Sequence, residues 1–177
     1  MPHYNDGRAH TMVGLMIGGG RMAIEFNVEV QFEAPPEKVF EALTNVNSFN
    51  EWMPNLKEIK ILSESATGVG TIFEETRRMF FRDATERFRV TMYEPPEMFE
   101  LTVDGSEGSS GSGQYTFFYH LEEDKDNGGT SMSMHGEIAG LNKVMEFLGR
   151  LTVGFMARGI RKDYRALANH LAAQAGE

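Results

Sequence analysis

The C-terminal part of the chain contains one long proline-free segment with a helical pattern of apolar residues. From Leu141 to about Ala173, these side chains recur every three or four residues, as on one face of an α-helix. The stripe consists of Leu141, Val144, Met145, Leu148, Leu151, Thr152, Phe155, Met156, Ile160, Tyr164, Leu167 and Leu171. About 33 residues at ~1.5 Å each span roughly 50 Å. A helix this long needs a large apolar surface to cover its stripe, and a sheet provides one.

The residues before this segment supply such a surface, because apolar and polar side chains alternate in several short runs. In "AIEFNVEVQFEA", every second residue from Ile24 to Phe32 is apolar, which predicts a half-buried strand. "APPEKVFEALTNV" and "NSFNEWMP" predict two short helices, since Pro35 and Pro36 suit the first turn of a helix. Six further runs bounded by turn residues are typical of strands. The sequence therefore predicts an α+β domain over residues 22–175, in which a seven-stranded antiparallel sheet grips the long C-terminal helix.

The N-terminal residues lack such a pattern. Residues 1–21 are rich in Gly, Asn, Asp and His and contain "GGG" at 18–20, so we expect a flexible tail. The apolar run "MVGLMIGGG" is too short and too rich in glycine for a secretory signal. No stretch is long and apolar enough to predict a transmembrane helix. These features together predict a cytoplasmic location.

The composition argues against several classes of protein. The net charge is −9 and the isoelectric point is about 5.1, whereas a general nucleic-acid binder presents a basic face to phosphates. Without cysteine the chain forms no disulfide and no thiolate zinc site. The histidines form no close ligand pair, and no Walker or dinucleotide motif occurs, so we expect neither a metal nor a cofactor. A homodimer is left open by the sequence.

The strand "GTIFEETRRMFF" at residues 70–81 carries charged residues on both of its faces. If the strand face that carries Phe73 points inward, Glu75 and Arg77 also point into the interior. On the next strand, Glu86 belongs to the corresponding face. Two carboxylates beside one guanidinium in a dry pocket can orient a polar ligand group or transfer protons. The alternative is a solvated group at the end of the sheet, or a structural ion pair.

A large set of apolar residues shares the predicted inward direction with this charged pair. It consists of Trp52, Phe73, Met79, Phe88, Phe99, Leu101, Tyr115, Phe117, Tyr119, Met132, Met134, Met145, Leu148, Thr152, Phe155 and Met156. Such residues form either an ordinary filled core or the lining of an adaptable apolar pocket. Within the lining, Tyr115, Tyr119 and Thr152 offer hydroxyl groups to a ligand, a water or Glu75.

A basic stripe lies late in the long helix, at Arg158, Arg161, Lys162 and Arg165. It fits an anionic membrane surface or an acidic partner. A solvated helix face is the alternative, because Asp163 interrupts the stripe and the chain as a whole is acidic.

The most specific sequence block is "FEAPPEKVFEALTNVNSFNEWMPNLKEIKIL", followed by "GVGTIFEETRR" and "VTMYEPPEMFEL". Together these blocks resemble the START-like (SRPBCC) superfamily, which includes the Bet v 1-like proteins and the polyketide cyclase/dehydrase and lipid-transport families. The resemblance covers roughly residues 24–173. It implies a helix-grip fold with a cavity between the sheet and the long helix, and it fixes no single function.

Three functions remain open at this point. The first is binding, extending to transport, of a hydrophobic small molecule such as a lipid, isoprenoid or polyketide-like compound, with Glu75 and Arg77 orienting its polar end. The second is a cyclase/dehydrase-type enzyme in which Glu75 or Glu86 moves a proton and Arg77 or Tyr119 steadies an enolate-like oxygen. The third is a protein-interaction module that uses the basic helix face and the N-terminal tail.

Overall fold

The computed structural model describes residues 23–79, 81–126 and 128–176, apart from the side chain of Met79. The predicted tail at residues 1–21 therefore lies outside the described residues. The elements are β1 (Ile24–Phe32), α1 (Pro36–Thr44), α2 (Phe49–Trp52), β2 (Leu56–Ile61), β3 (Ile72–Met79), β4 (Arg82–Glu94), β5 (Met98–Asp104), β6 (Gln114–Asp124), β7 (Gly129–Ala139) and α3 (Lys143–Ala175). This order confirms the predicted α+β class, with two short helices after the first strand.

The seven strands form one antiparallel sheet in the order β1-β7-β6-β5-β4-β3-β2. Consecutive strands from β2 to β7 are neighbours, and β1 adds to β7 at the far edge. Because β1 and β2 lie at opposite edges, α1 and α2 carry the chain from one side of the sheet to the other.

The alternation in β1 becomes a strict alternation of buried and exposed side chains. Its apolar residues join a core that also includes Val39 and Phe40 from α1. The ring of Phe26 lies against Gly136 of β7, where a Cβ atom would approach ring carbon Cζ to 2.2 Å. Glycine is therefore favoured at residue 136, since any side chain would force the buried Phe26 ring to move.

The long helix α3 begins where Asn142 caps it. The Asn142 Oδ1 accepts hydrogen bonds from the backbone N–H groups of Val144, at 3.1 Å, and Met145, at 3.0 Å. The C-terminal half of α3 is anchored by the buried residues Tyr164 and Leu167. The N-terminal half is much more exposed, so α3 covers the sheet unevenly and leaves a space beside it.

Within the described ranges, no helix combines the length and the apolar character that crossing a bilayer requires.

Candidate functional site

A cavity of about 700 Å³ lies between the sheet and α3. This volume is in the range of pockets that hold small organic molecules. Aromatic rings form much of its wall: Phe99 and Tyr119 stack with ring centroids 4.1 Å apart, and Phe73 and Phe88 stack at 5.2 Å. The predicted site residues that line the cavity are Trp52, Phe73, Glu75, Arg77, Glu86, Phe88, Phe99, Leu101, Tyr115, Phe117, Tyr119 and Met156.

Four residues of α3 that we predicted to line the pocket lie outside it. Met145, Leu148, Thr152 and Phe155 are exposed, and 71% of the Phe155 surface is accessible to solvent. They precede Met156, the first residue of α3 in the cavity lining, and Leu148 and Phe155 lie on the exposed face of the helix. The Thr152 hydroxyl donates to the backbone carbonyl of Leu148, at 3.0 Å, so it is occupied within its own helix.

Two methionines of β7 are also absent from the cavity wall. Met132 and Met134 are fully buried in the core, where they pack among other side chains and fill space. Their inward direction was predicted correctly, but they belong to the filled part of the interior. The side chain of Met79 lies outside what the structure describes.

The charged group in the cavity wall is a cluster of two carboxylates around one guanidinium. Arg77 donates from Nε to Glu75 on its own strand and from Nη1 to Asp163 on α3. The third guanidinium nitrogen, Nη2, lies 2.7 Å from the sulfur of Met53. Glu75 is only 8% exposed, so the cluster ties the sheet to α3 inside a largely apolar environment.

Glu86 is not part of this cluster, although it is the register partner of Glu75. Its Oε1 accepts hydrogen bonds from the backbone N–H and the hydroxyl of Ser110, both at 2.8 Å. Glu75, Arg77 and Glu86 all line the cavity as predicted, but Asp163 and not Glu86 supplies the second carboxylate that contacts Arg77. Glu86 instead holds the loop between β5 and β6 against the cavity.

Burial dominates the ionisation of the cluster. It raises the pKa of Glu75 above its ordinary value, and Arg77 opposes this shift without cancelling it. Burial raises the pKa of Asp163 in the same way, again against the influence of Arg77. For Arg77, burial alone would lower the pKa, but the two carboxylates raise it above its ordinary value. The guanidinium therefore stays charged, while the carboxyl groups resist being ionised together.

A pair of buried tyrosines lies beside the cluster. The hydroxyls of Tyr119 and Tyr164 are hydrogen-bonded to each other. Burial raises the pKa of Tyr119 to about 12 and that of Tyr164 well above its ordinary value. Both phenols therefore stay neutral, and two hydroxyls that share one hydrogen bond retain a second O–H for another acceptor.

The cavity opens beside the turn between β3 and β4. Phe81 in this turn contributes to the lining and is 99% exposed. The loop between β5 and β6 contributes Ser109 and Ser110. This loop is hydrogen-bonded to β4: the Ser109 N–H donates to the Thr85 carbonyl at 2.8 Å.

Several lining residues were missed by sequence analysis, above all Ile160, Asp163 and Tyr164 of α3. Their spacing from Met156 by four, seven and eight residues places them on one helix face. The sequence pattern places Ile160 and Tyr164 in the apolar stripe without assigning them to the pocket, and it shows Asp163 only as an acidic residue within a basic stripe. The helical spacing was the signal that could have identified them.

A family model described as polyketide cyclase / dehydrase and lipid transport matches residues 23–176 of this sequence. The match covers every residue that the structure describes. Comparison with curated protein sequences gives no match.

Solved structures share the architecture at low sequence identity. Ara h 8.0201 is 17% identical with a TM-score of 0.61, covering 83% of this chain and 98% of that one. A protein of unknown function from Staphylococcus aureus is 14% identical with a TM-score of 0.68, covering 89% of this chain and 98% of that one. The major latex-like protein 151 of Panax ginseng is 10% identical with a TM-score of 0.64, covering 84% and 97%. At these identities the likeness shows a common fold and no common ligand.

Proposed function

The chain belongs to the polyketide cyclase / dehydrase and lipid transport family, and on that basis we propose that it binds one hydrophobic small molecule in the cavity between the sheet and α3. The family is part of the START-like (SRPBCC) superfamily indicated by the sequence resemblance. The observation that carries the proposal is a large aromatic cavity with one buried polar cluster in its wall.

The apolar wall favours a ligand with an extended hydrophobic or aromatic body. Rings such as Phe73, Phe88 and Phe117 line the cavity, and the flexible side chain of Met156 faces them from α3. Each square ångström of apolar ligand surface removed from water contributes about 25 cal/mol, before the costs of ordering. A lipid-like, isoprenoid or polyketide-like body therefore gains most of its affinity from this wall.

The polar cluster favours a neutral head group on that body. Two carboxyl groups share one guanidinium, so full ionisation of Glu75, Asp163 and Arg77 leaves one uncompensated negative charge. A ligand carboxylate adds a second negative charge in a buried site, which costs several kcal/mol. A hydroxyl or ketone adds none: a hydroxyl donates to an ionised carboxylate, and a ketone accepts from a carboxyl group that holds its proton.

Trp52 gives this preference independent support. It lines the cavity, and within the described residues its indole Nε1 is buried without a hydrogen-bond partner. A buried donor without an acceptor costs about 1–3 kcal/mol. An oxygen of a bound ligand is a suitable acceptor, so the proposed ligand class is a hydrophobic alcohol, phenol or ketone.

Competition between two ligands of equal chain length tests this proposal. N-phenyl-1-naphthylamine, a neutral fluorescent probe, is bound to the protein at pH 8 and then displaced by 1-dodecanol or by dodecanoate. We expect 1-dodecanol to displace the probe at a concentration at least about tenfold lower, equivalent to about 1.4 kcal/mol. Equal or stronger displacement by dodecanoate, or a probe that shows no saturable binding, contradicts the proposal.

Proton-transfer catalysis of the cyclase/dehydrase type is a second candidate function. It is favoured by the raised pKa of Glu75, a buried carboxyl group in the cavity wall next to Arg77. The test is deuterium exchange at the central carbon of bound 1-phenyl-1,3-butanedione, followed by NMR in D₂O. If the protein accelerates this exchange, Glu75→Gln should abolish the acceleration. An unchanged rate in this variant would show that Glu75 does not transfer the proton.

A further inference from the structure

The outer face of α3 carries a regular seam of residues spaced alternately by four and three. In its first half the seam is apolar, with Val144, Leu148, Leu151 and Phe155. All four are exposed, including Leu151 at 63%. A soluble surface usually carries apolar side chains singly, whereas a contiguous exposed row marks a surface that meets another apolar phase.

In its second half the same seam is basic. The spacing of four and three continues from Phe155 through Arg158, Lys162 and Arg165. The guanidinium of Arg158 lies over the Phe155 ring, 5.1 Å from its centroid, where the two halves meet. We call the seven residues from Val144 to Arg165 the α3 seam.

The cations of the α3 seam form no close ion pairs among the described residues, although the charge of Lys162 still acts on Asp163. No ion pair within the described part of the chain includes Arg158, Lys162 or Arg165. Asp163, which interrupts this region in sequence, is turned inward and paired with Arg77. The second half of the seam is thus a cationic surface, although the net charge of the chain is −9.

The charge pattern distinguishes the surfaces that could cover this seam. A second copy fits poorly, because parallel helices would oppose the two basic halves and antiparallel helices would oppose each basic half to an apolar one. The chain's own residues 1–22 contain only Asp6 to set against Arg8 and Arg21, so they cannot neutralise the basic half. A bilayer surface with anionic lipids offers an apolar layer and negative head groups together.

We propose that the α3 seam docks the protein on an anionic lipid bilayer. Leu148, Leu151 and Phe155 enter the interfacial region, and the basic half lies against the lipid head groups. Phe155 is adjacent in sequence to Met156, which lines the cavity, and the exposed Phe81 lies in the lining at the cavity opening. Docking through this seam brings the cavity close to the membrane surface, where a hydrophobic ligand can be exchanged.

Vesicle co-sedimentation of the full chain tests the proposal. The vesicles contain either phosphatidylcholine alone or phosphatidylcholine with 30% phosphatidylserine, a composition chosen to supply negative charge. We expect binding to the anionic vesicles that weakens with added salt, and little binding to the neutral ones. Absence of binding to both vesicle types, or equal binding to the neutral and the anionic vesicles, overturns the proposal.

Variants locate the binding surface. Leu151→Gln with Phe155→Gln should reduce partitioning at least about tenfold, because two interfacial apolar side chains are lost. Lys162→Gln should reduce it about fivefold. The matched control is Val69→Gln, which changes an apolar residue that is 67% exposed in the turn between β2 and β3. Equal losses in the control and the seam variants contradict a role for the seam.

If a second copy or the chain's own N-terminal segment covers the α3 seam instead, each gives a different experimental result. Concentration-dependent dimerisation that the Leu151→Gln/Phe155→Gln variant abolishes would assign the seam to a second copy. Hydrogen-exchange protection of residues 11–17 that the same variant removes would assign it to the chain's own N-terminal segment. Probe binding in the cavity is measured on each variant, so failure of docking is distinguishable from failure of the proposed ligand site.

Discussion

Replacing Arg77 by methionine is expected to lower the free energy of unfolding by about 3 kcal/mol at pH 7. The change keeps the length of the side chain but removes the cation that contacts both Glu75 and Asp163. Two carboxyl groups then remain in a mostly buried site without a positive partner. This destabilises the native state more than replacing all the charged groups with apolar ones would. Urea unfolding followed by circular dichroism measures the loss.

The loss of unfolding free energy in the Arg77→Met variant should become smaller as pH falls. In the wild-type protein, burial already raises the native pKa of Glu75 and Asp163 above their ordinary values of 4.5 and 3.8. The native state therefore binds more protons, and the stability from these groups falls as pH rises from those values through the raised pKa. Without the guanidinium, which lowers both pKa values, this fall becomes larger. The variant should thus recover part of its stability as pH decreases towards 5.

Arg87→Met is the matched control for this prediction. Arg87 lies on β4 and pairs with Glu74 at 2.8 Å and Glu107 at 3.5 Å, so it also joins two carboxylates. Its partners are more accessible to water than Glu75, and exposed ion pairs contribute little to stability, so we expect a much smaller loss in this control. Similar losses in the two variants would show that the Arg77 cluster is an ordinary surface network.

Filling the cavity is expected to weaken binding of N-phenyl-1-naphthylamine at least about tenfold, or 1.4 kcal/mol. The double variant Ala84→Trp/Leu101→Trp places two indoles where small or aliphatic side chains now line the cavity. The indoles occupy space that the rings of the probe would use, so apolar contact between ligand and wall is lost. Fluorescence titration measures the dissociation constant.

The control for this experiment inserts the same two indoles on the opposite face of the same strands. Asp83→Trp/Thr102→Trp changes the residues adjacent to Ala84 and Leu101, and successive side chains of a strand point to opposite faces. Probe binding should persist in the control. A probe that binds the cavity-filling variant as well as the wild type would place its site elsewhere.

The architecture was predictable because its determinants are local and periodic. The alternation from Ile24 to Phe32 identifies β1 and its buried face, and Pro35 and Pro36 mark the start of α1. Each prediction used the period of one element and the turn residues around it. The seven-stranded antiparallel sheet and the long helix follow from the order of such elements.

The composition of the site was only partly predictable, since it depends on how α3 lies on the sheet. Parity along β3 placed Glu75 and Arg77 on the inner face, where the structure has them. The alternation of side chains along a strand does not indicate which part of a long helix packs on that face. Asp163 completes the cluster, whereas Phe155, with the more typical lining side chain, is exposed on the outer face of α3.

The central claim is that a hydrophobic ligand occupies the cavity between the sheet and α3. The most direct measurement is a set of intermolecular nuclear Overhauser effects between 1-dodecanol and the methyl groups of selectively labelled Leu and Met residues. We predict contacts to the methyl groups of Leu101 and Met156, which line the cavity, and none to that of Leu151 on the exposed seam. Contacts confined to Leu151 and its neighbours, or no contacts under saturating conditions, would contradict the claim.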